Sequence, residues 1–282
     1  MSSSLVDVIN DRGEIASPLT IICKMNSTQD ILRRNVLTNI KRDLPRFLDL
    51  PGILHARNAP IAICGGGPSL DEHAAEIRKF EFVMACGSVH DHLVDLGITP
   101  SFAIAVDSME DAVNWFQKPQ EKTSYLLASQ CHPNMFDHLK DHKIAMWHFK
   151  GQIDGEEEVF NGEKLINWGV MVGNHSIQMS LFLGFQELHF FGMDASHRNG
   201  RHHSYDVGKY HDHILEQGSQ LYTVNGKEFI STTALISQME HFFDIFASTD
   251  GQFIKGYVHN DDLWAEVIKA SPPEMSRWLE AV

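Results

Sequence analysis

Short, mainly apolar runs alternate with amphipathic stretches through most of the chain. The runs Ile61–Cys64, Phe82–Cys86, Ser101–Val106, Ser124–Ala128, Ile144–Phe149 and Glu187–Phe191 are too brief for helices. They read as strands buried on both faces. Helical spacing fills the stretches between them: from the turn at Gly65 to about Lys79, through His90 to Leu96, and over Asn174–Leu183. That rhythm predicts an α/β fold, Rossmann-like, with a mainly parallel sheet and helices on both faces.

The flanks follow other patterns. Leu19–Cys23 reads as one more strand. Asn26-Ser27-Thr28 offers caps for a helix over Gln29–Leu48, whose apolar positions include Ile31, Val36, Ile40, Leu44 and Phe47. Pro51-Gly52 closes this N-terminal part. Residues 231–247 and 261–279 read as further helices. The expected division is an N-terminal helical extension over 1–55, a Rossmann-like nucleotide-binding catalytic domain over 56–260 and a C-terminal helix over 261–282.

Composition narrows the classes. Of 282 residues, 43% are hydrophobic and 21% charged, which is ordinary for a globular chain. No apolar run reaches the roughly 18 residues that a membrane span needs. The start lacks a signal-peptide pattern, so the cytoplasm is the expected location. The four cysteines are scattered and suggest neither a zinc knuckle nor a disulfide framework. A net charge of −14 argues against nucleic acid and anionic membrane as partners. The basic cluster Arg33, Arg34, Lys41, Arg42 and Arg46 reads as the solvated face of a helix. A homo-oligomer is compatible with all of this. The 17 histidines stand out, with His197, His202, His203, His211 and His213 in one stretch.

Candidate chemistry follows the strands, because open parallel sheets bind ligands beyond the carboxyl ends of their strands. After the first comes Gly65-Gly66-Gly67-Pro68-Ser69, where glycines permit close approach and positive φ. Ser69 and Glu72 have capping-box spacing, which predicts a helix N-terminus suited to phosphate. Asp107 follows the third strand as a candidate metal or ribose ligand, or as a cap. Asp194 follows the sixth, and behind it come Arg198, Arg201, His202 and His203, too polar to pack a core. Adjacent histidines are expected to diverge, which argues against zinc there. There is no G-x-S-x-G elbow and no Walker A lysine.

Gly65-Gly66-Gly67-Pro68-Ser69-Leu70 resembles the G-x-G-P-S-L turn shared by two related groups. One is the 6-hydroxymethylpterin diphosphokinase MptE-like family, including the motility accessory factors linked to flagellin glycosylation. The other is the family of bacterial sialyltransferases that use CMP-sialic acid. The stretches "ACGSVHDHLVDLGITPSFAIAVD", "VGNHSIQMSLFLGFQELHFFGMD" and "NGRHHSYD" are similar to later family motifs and keep their order. The resemblance covers about Ile61 to Asp206. Where the sialyltransferases place a nucleotide-contacting Asn, this chain reads Gly87-Ser88.

The resemblance implies a nucleotide-phosphate ligand and, first, a glycosyltransferase using a nucleotide-activated sugar. Gly65, Gly66, Gly67, Pro68 and Ser69 would then hold donor phosphate or ribose. Gly87, Ser88 and Asp107 would join them. Gly173, Asn174, His175 and Ser176 would hold base or sugar groups, and Arg198 or Arg201 the departing phosphate. Among His202, His203 and His211 would be the base, with Asp194 beside it. The acceptor would be a small molecule or a macromolecule. The alternative is a pterin diphosphokinase transferring diphosphate from ATP, with magnesium on Asp107 and Asp194; no cofactor is expected to be tightly held. A further alternative is a non-catalytic nucleotide-binding partner.

Overall fold

The computed structural model describes residues 27–151, 153–166, 171–207, 219–248, 254–271 and 279–282. The expected strand Leu19–Cys23, together with His211 and His213, lies outside them.

Helix α1 (Gln29–Asn39) comes first, capped by Thr28, whose hydroxyl accepts from the Ile31 amide. Then follow β1 (Ile61–Cys64), α2 (Ala74–Ile77), β2 (Phe82–Cys86), α3 (Val89–Asp95), β3 (Phe102–Ala105) and β4 (Ser124–Ala128). Next are α4 (Pro133–His138), β5 (Lys143–Phe149), α5 (Glu156–Phe160), β6 (Leu165–Ile166), α6 (Val172–Phe182) and β7 (Glu187–Phe191). The chain continues through β8 (Ser219–Val224), β9 (Lys227–Thr232), α7 (Thr233–Ser248), β10 (Lys255–His259), α8 (Leu263–Ala270) and β11 (Leu279–Ala281).

Nine strands form one sheet in the order β11-β10-β7-β1-β2-β3-β4-β5-β6, and every pair in it is parallel. Helices surround it, so the fold is α/β and Rossmann-like. The central strands are buried along their length because both faces are covered, which is why they read as unbroken apolar runs. Beside the sheet, β8 and β9 form an antiparallel hairpin. No helix among the described residues is long and apolar enough to cross a membrane.

Three helices end earlier than their spacing predicts. The stretch Gln29–Leu48 is helical only to Asn39; Arg46 then bridges to Met146, and Phe47–Asp49 is a single 3-10 turn. Pro45 explains the break, since a proline inside the helix would cost a hydrogen bond and clash with the preceding turn. Its carbonyl instead accepts from the Met146 amide at 2.9 Å. Behind the glycine turn, Leu70–His73 is a 3-10 helix leading into the short α2. Of the expected helix over 261–279, α8 covers Leu263–Ala270 and ends where Ser271 turns extended, residues 272–278 lie outside the described ones, and β11 extends the sheet beyond β10.

Helix α1 belongs to the ligand-binding edge. Buried Asn35 donates to the carbonyls of Ser108 and Gln130, and buried Asn39 to those of Ser129 and Cys131. These carbonyls follow β3 and β4, so α1 is fastened where the strands end. Of the basic cluster expected on one helix face, Arg34 is exposed on α1, but Arg42 and Arg46 lie beyond its end, paired with Asp137 at 2.7 Å and Glu163 at 2.6 Å.

Candidate functional site

The sheet runs outward from β1 through β6, then returns to the other side of β1 with β7. Strand order therefore reverses between β1 and β7, and the crevice beyond their carboxyl ends is the expected ligand site. Gly65–Ser69 follows one strand and Gly192–Asp194 the other. Between them opens a cavity of about 330 Å³.

The glycine turn is stitched to β7. The amides of Gly65 and Gly67 donate to the carbonyls of Phe191 and Gly192 at 2.8 and 2.7 Å. The Ser69 amide donates to Asp194 Oδ2 at 2.8 Å and its hydroxyl to Asp194 Oδ1 at 2.5 Å. The Leu70 amide goes to the Gly67 carbonyl, and Pro68 has none to offer. Most of the amides expected to cradle phosphate are thus engaged inside the protein. The anion in this turn is Asp194.

Two expectations are corrected here. Ser69 and Glu72 form no capping box: the Ser69 hydroxyl is spent on Asp194, and Glu72 binds Arg198 at 2.6 Å. Nor do Gly65, Gly66 and Gly67 adopt positive φ. They are glycines because neighbours crowd them: a Cβ on Gly67 would lie 2.6 Å from both the Gly192 carbonyl and Asp194 Oδ2.

Asp194 is 2% exposed, and burial, reinforced by the charge of Asp262, pushes its carboxyl up to about 7. The Ser69 hydrogen bonds and Arg198 hold it from rising further. Arg198 is itself committed, with one nitrogen on Glu72 and the other on Asp262, each at 2.6 Å. It therefore ties the glycine-turn segment to the start of α8 and does not line the cavity; neither does Arg201. The two face each other across a tight turn whose central residues Asn199 and Gly200 have φ of 53° and 73°. That is the backbone an Asn-Gly hairpin turn favours.

Beyond this turn the loop folds back over the site. His202 and His203 both line the cavity, with their Nδ1 atoms in contact. The expectation that they diverge is corrected, because they sit in an irregular bend where successive side chains need not alternate. The space above Gly66 is filled by the His203 ring and the Tyr205 hydroxyl.

The other wall is the start of α6. Met171, Val172 and Gly173 line the cavity, and Met171 offers no capping side chain to the first-turn amides. His175, on the same turn, is 1% exposed, and burial pushes its imidazole down to about 3, so it is neutral. It packs against Trp147 and Phe149 at 5.1 and 4.4 Å. Asn174 and Ser176 do not line the cavity; Asn174 donates to the Gln238 carbonyl and Ser176 to that of Gly173.

Gly87, Ser88 and Asp107 complete the rim. Asp107 accepts from the Met109 amide at 2.8 Å, the capping role anticipated as its alternative. Both oxygens of Asp194 are taken by Ser69. Among the described residues, no three His, Cys, Asp or Glu side chains converge on a metal position.

Sequence reasoning missed several wall residues. One face of α7 supplies Ala234, Leu235, Gln238, Met239 and Phe242, whose helical spacing looks the same as that of any core-facing helix. Ser27 precedes α1 and Leu32 lies on it, and Tyr205 and Asp262 act just behind the wall.

The profile of the 6-hydroxymethylpterin diphosphokinase MptE-like family matches residues 32–200. Among solved structures, the MAf glycosyltransferase from Magnetospirillum magneticum AMB-1 is similar over 82% of this chain, with a TM-score of 0.61 and 17% identity. The chain spans 36% of the length of that protein, and at this identity the likeness is one of fold. The sialyltransferase CstII from Campylobacter jejuni, solved with cytidine-5'-monophosphate, gives a TM-score of 0.33 at 15% identity over 72% of this chain and 80% of that one. A mammalian sialyltransferase gives 0.36 at 14% identity, over 68% and 82%. No curated protein matches the chain.

Proposed function

The chain belongs to the 6-hydroxymethylpterin diphosphokinase MptE-like family, and on that premise we propose that it is a nucleotide-dependent transferase acting on a nucleotide-activated sugar. The observation that carries this reading is the cavity at the β1–β7 reversal, which gathers Asp194, His202, His203 and the uncapped start of α6. The donor phosphate is held at that helix start, where no side chain caps the first turn and the helix dipole favours an anion. The ribose and sugar hydroxyls face Ser88 and Asp107. His203 accepts the proton of the acceptor hydroxyl as its oxygen bonds to the sugar carbon. The bond from that carbon to the phosphate oxygen breaks, and the nucleotide leaves with the electron pair.

Charge supports a sugar donor over ATP. Among the described residues, no lysine or arginine lines the cavity. That suits a donor of low charge better than a triphosphate. Nucleotide-activated sugars are made in the cytoplasm, which is where this reading places the protein.

The family description favours a second reading, diphosphate transfer from ATP to a pterin. One experiment separates the two. The protein is incubated with CMP-, UDP- and GDP-sugars, and separately with ATP, magnesium and 6-hydroxymethylpterin, and nucleotide release is followed by chromatography. Release of nucleotide from a sugar donor is expected. AMP formed from ATP only when the pterin is present would replace the first reading with the second.

A further inference from the structure

Gly66 faces the protein's own loop. Above it sit the His203 ring and the Tyr205 hydroxyl, and the Gly66 carbonyl accepts from the Ser204 amide at 3.0 Å. The loop is fastened on its far side too. Tyr205 Oη is 2.8 Å from Ser88 Oγ, and its ring stacks on His92 with centroids 4.6 Å apart at 26°. His92 is held in turn by Asp71, whose carboxylate lies 2.6 Å from its Nε2, and Ser204 Oγ lies 3.4 Å from the same nitrogen. Tyr205 and His203 also meet edge to face at 5.3 Å.

These contacts join loop 202–205 to the segments after β1 and β2. A hydroxyl bond alone is worth little, but a ring stack, a hydroxyl bond and a backbone bond acting on neighbouring residues leave the loop few alternatives. We propose that Tyr205 is a positioning residue: seated on His92 and bonded to Ser88, it holds His203 over the glycine turn and keeps loop 202–205 strapped across the cavity mouth. Gly66 is then a glycine because only hydrogen fits beneath the strap. In giving His203 a task, this inference rests on the transferase reading; the strap itself does not.

The test uses the free protein without any nucleotide. Hydrogen exchange is measured at the Ser204 amide, and the ring resonances of His203 are followed by NMR, in wild type, Tyr205→Phe and Tyr205→Leu. Phenylalanine keeps the stack and loses the hydroxyl; leucine loses both. Exchange at Ser204 should quicken about fivefold to tenfold in Tyr205→Phe and more in Tyr205→Leu. His203 resonances should shift in the phenylalanine variant, while those of His175, remote from the loop, stay in place. His92→Leu should repeat the leucine result. Unchanged exchange at Ser204 and unchanged His203 signals in Tyr205→Phe, or His203 signals that shift no more than those of His175, would overturn the proposal. Should Tyr205→Leu fail to fold, the phenylalanine variant decides alone. A separate titration with CMP, UDP, GDP and ATP keeps the two readings apart: a wild type that ignores all four yet shows the graded exchange loses the transferase reading and keeps the strap.

Discussion

Ser69 reaches Asp194 twice, with its amide at 2.8 Å and its hydroxyl at 2.5 Å, across 125 residues of sequence. The pair closes the crevice between β1 and β7 from below. A carboxyl group thus fills the place that the glycine turn and its short helix were expected to hold for phosphate, and the transferase reading puts the donor phosphate at the start of α6 instead. Behind the pair, Arg198 offsets the charge of Asp262, which is 7% exposed.

The buried carboxyl makes stability depend on pH with a definite sign. Asp194 is raised from 3.8 to about 7, so folding favours its protonated form. Its contribution is complete below the unfolded value and is lost as pH climbs through about 7. About three pKa units correspond to roughly 4 kcal/mol as an upper figure. Asp194→Asn cannot ionise and should lose this slope. Urea unfolding of both proteins at acid and at alkaline pH should show the wild type losing about 2–4 kcal/mol relative to the variant as pH rises. His175, lowered to about 3, and His259, lowered to about 4, act in the opposite sense. Their stabilisation is present above the ordinary imidazole value and fades as pH falls, but it is common to both proteins and cancels in the difference. Parallel curves would remove Asp194 from this role.

The glycines should separate by what they touch. Alanine at Gly67 meets the Gly192 carbonyl and Asp194 Oδ2, both at 2.6 Å. A backbone carbonyl cannot swing aside, so Gly67→Ala should cost about 3 kcal/mol or more. Alanine at Gly66 meets only the ends of two side chains and should cost about 1–2 kcal/mol while lifting the loop. Urea titrations rank the two directly. The reverse order would mean that the turn adjusts more easily than its hydrogen bonds indicate.

Arg198 should prove structural. Its fork spans Glu72 and Asp262, and removing it leaves Asp262 buried without its cation. Because Arg198 is itself partly exposed, the cost of Arg198→Ala is set at about 2 kcal/mol, below that of a fully buried pair. Lysine cannot bridge two carboxylates as a planar fork does, so Arg198→Lys should recover at most half. Nucleotide affinity per folded molecule, measured by calorimetry, should hold. A loss of affinity with unchanged melting would return Arg198 to the phosphate.

The sheet was legible because β1 to β5 and β7 are largely buried and carry mainly apolar residues. Strand β10, Lys255-Gly256-Tyr257-Val258-His259, has no such run, although it pairs with β7 along its whole length. Hairpin β8–β9 did carry a signal, Asn225-Gly226 between alternating residues, of the kind that marks a two-residue turn. The strand-end positions of Asp107, Asp194 and the glycine turn followed from the general rule for open sheets. What each does depends on partners remote in sequence. No spacing reveals that Ser69 spends its hydroxyl on Asp194, or that Tyr205 fills the space over Gly66.

His202 and His203 should differ in kind. His203 lies over Gly66 beneath the Tyr205 strap, whereas His202 is 6% exposed and reaches the cavity beside it, Nδ1 against Nδ1. In the transferase reading His203 is the base, and His202, in contact with its ring, acts through the orientation of that ring. Once a donor is identified, His203→Ala should lower kcat by about 10²–10⁴-fold, the cost of a lost general base, and leave KM little changed. His202→Ala should lower kcat less, and His211→Ala, outside the described residues, less again. The wild-type rate should rise with pH as the base loses its proton, and that limb should vanish in His203→Ala. Equal, mild losses at all three positions, with a flat profile between about pH 6 and 8, would leave this loop a cover without a chemical part.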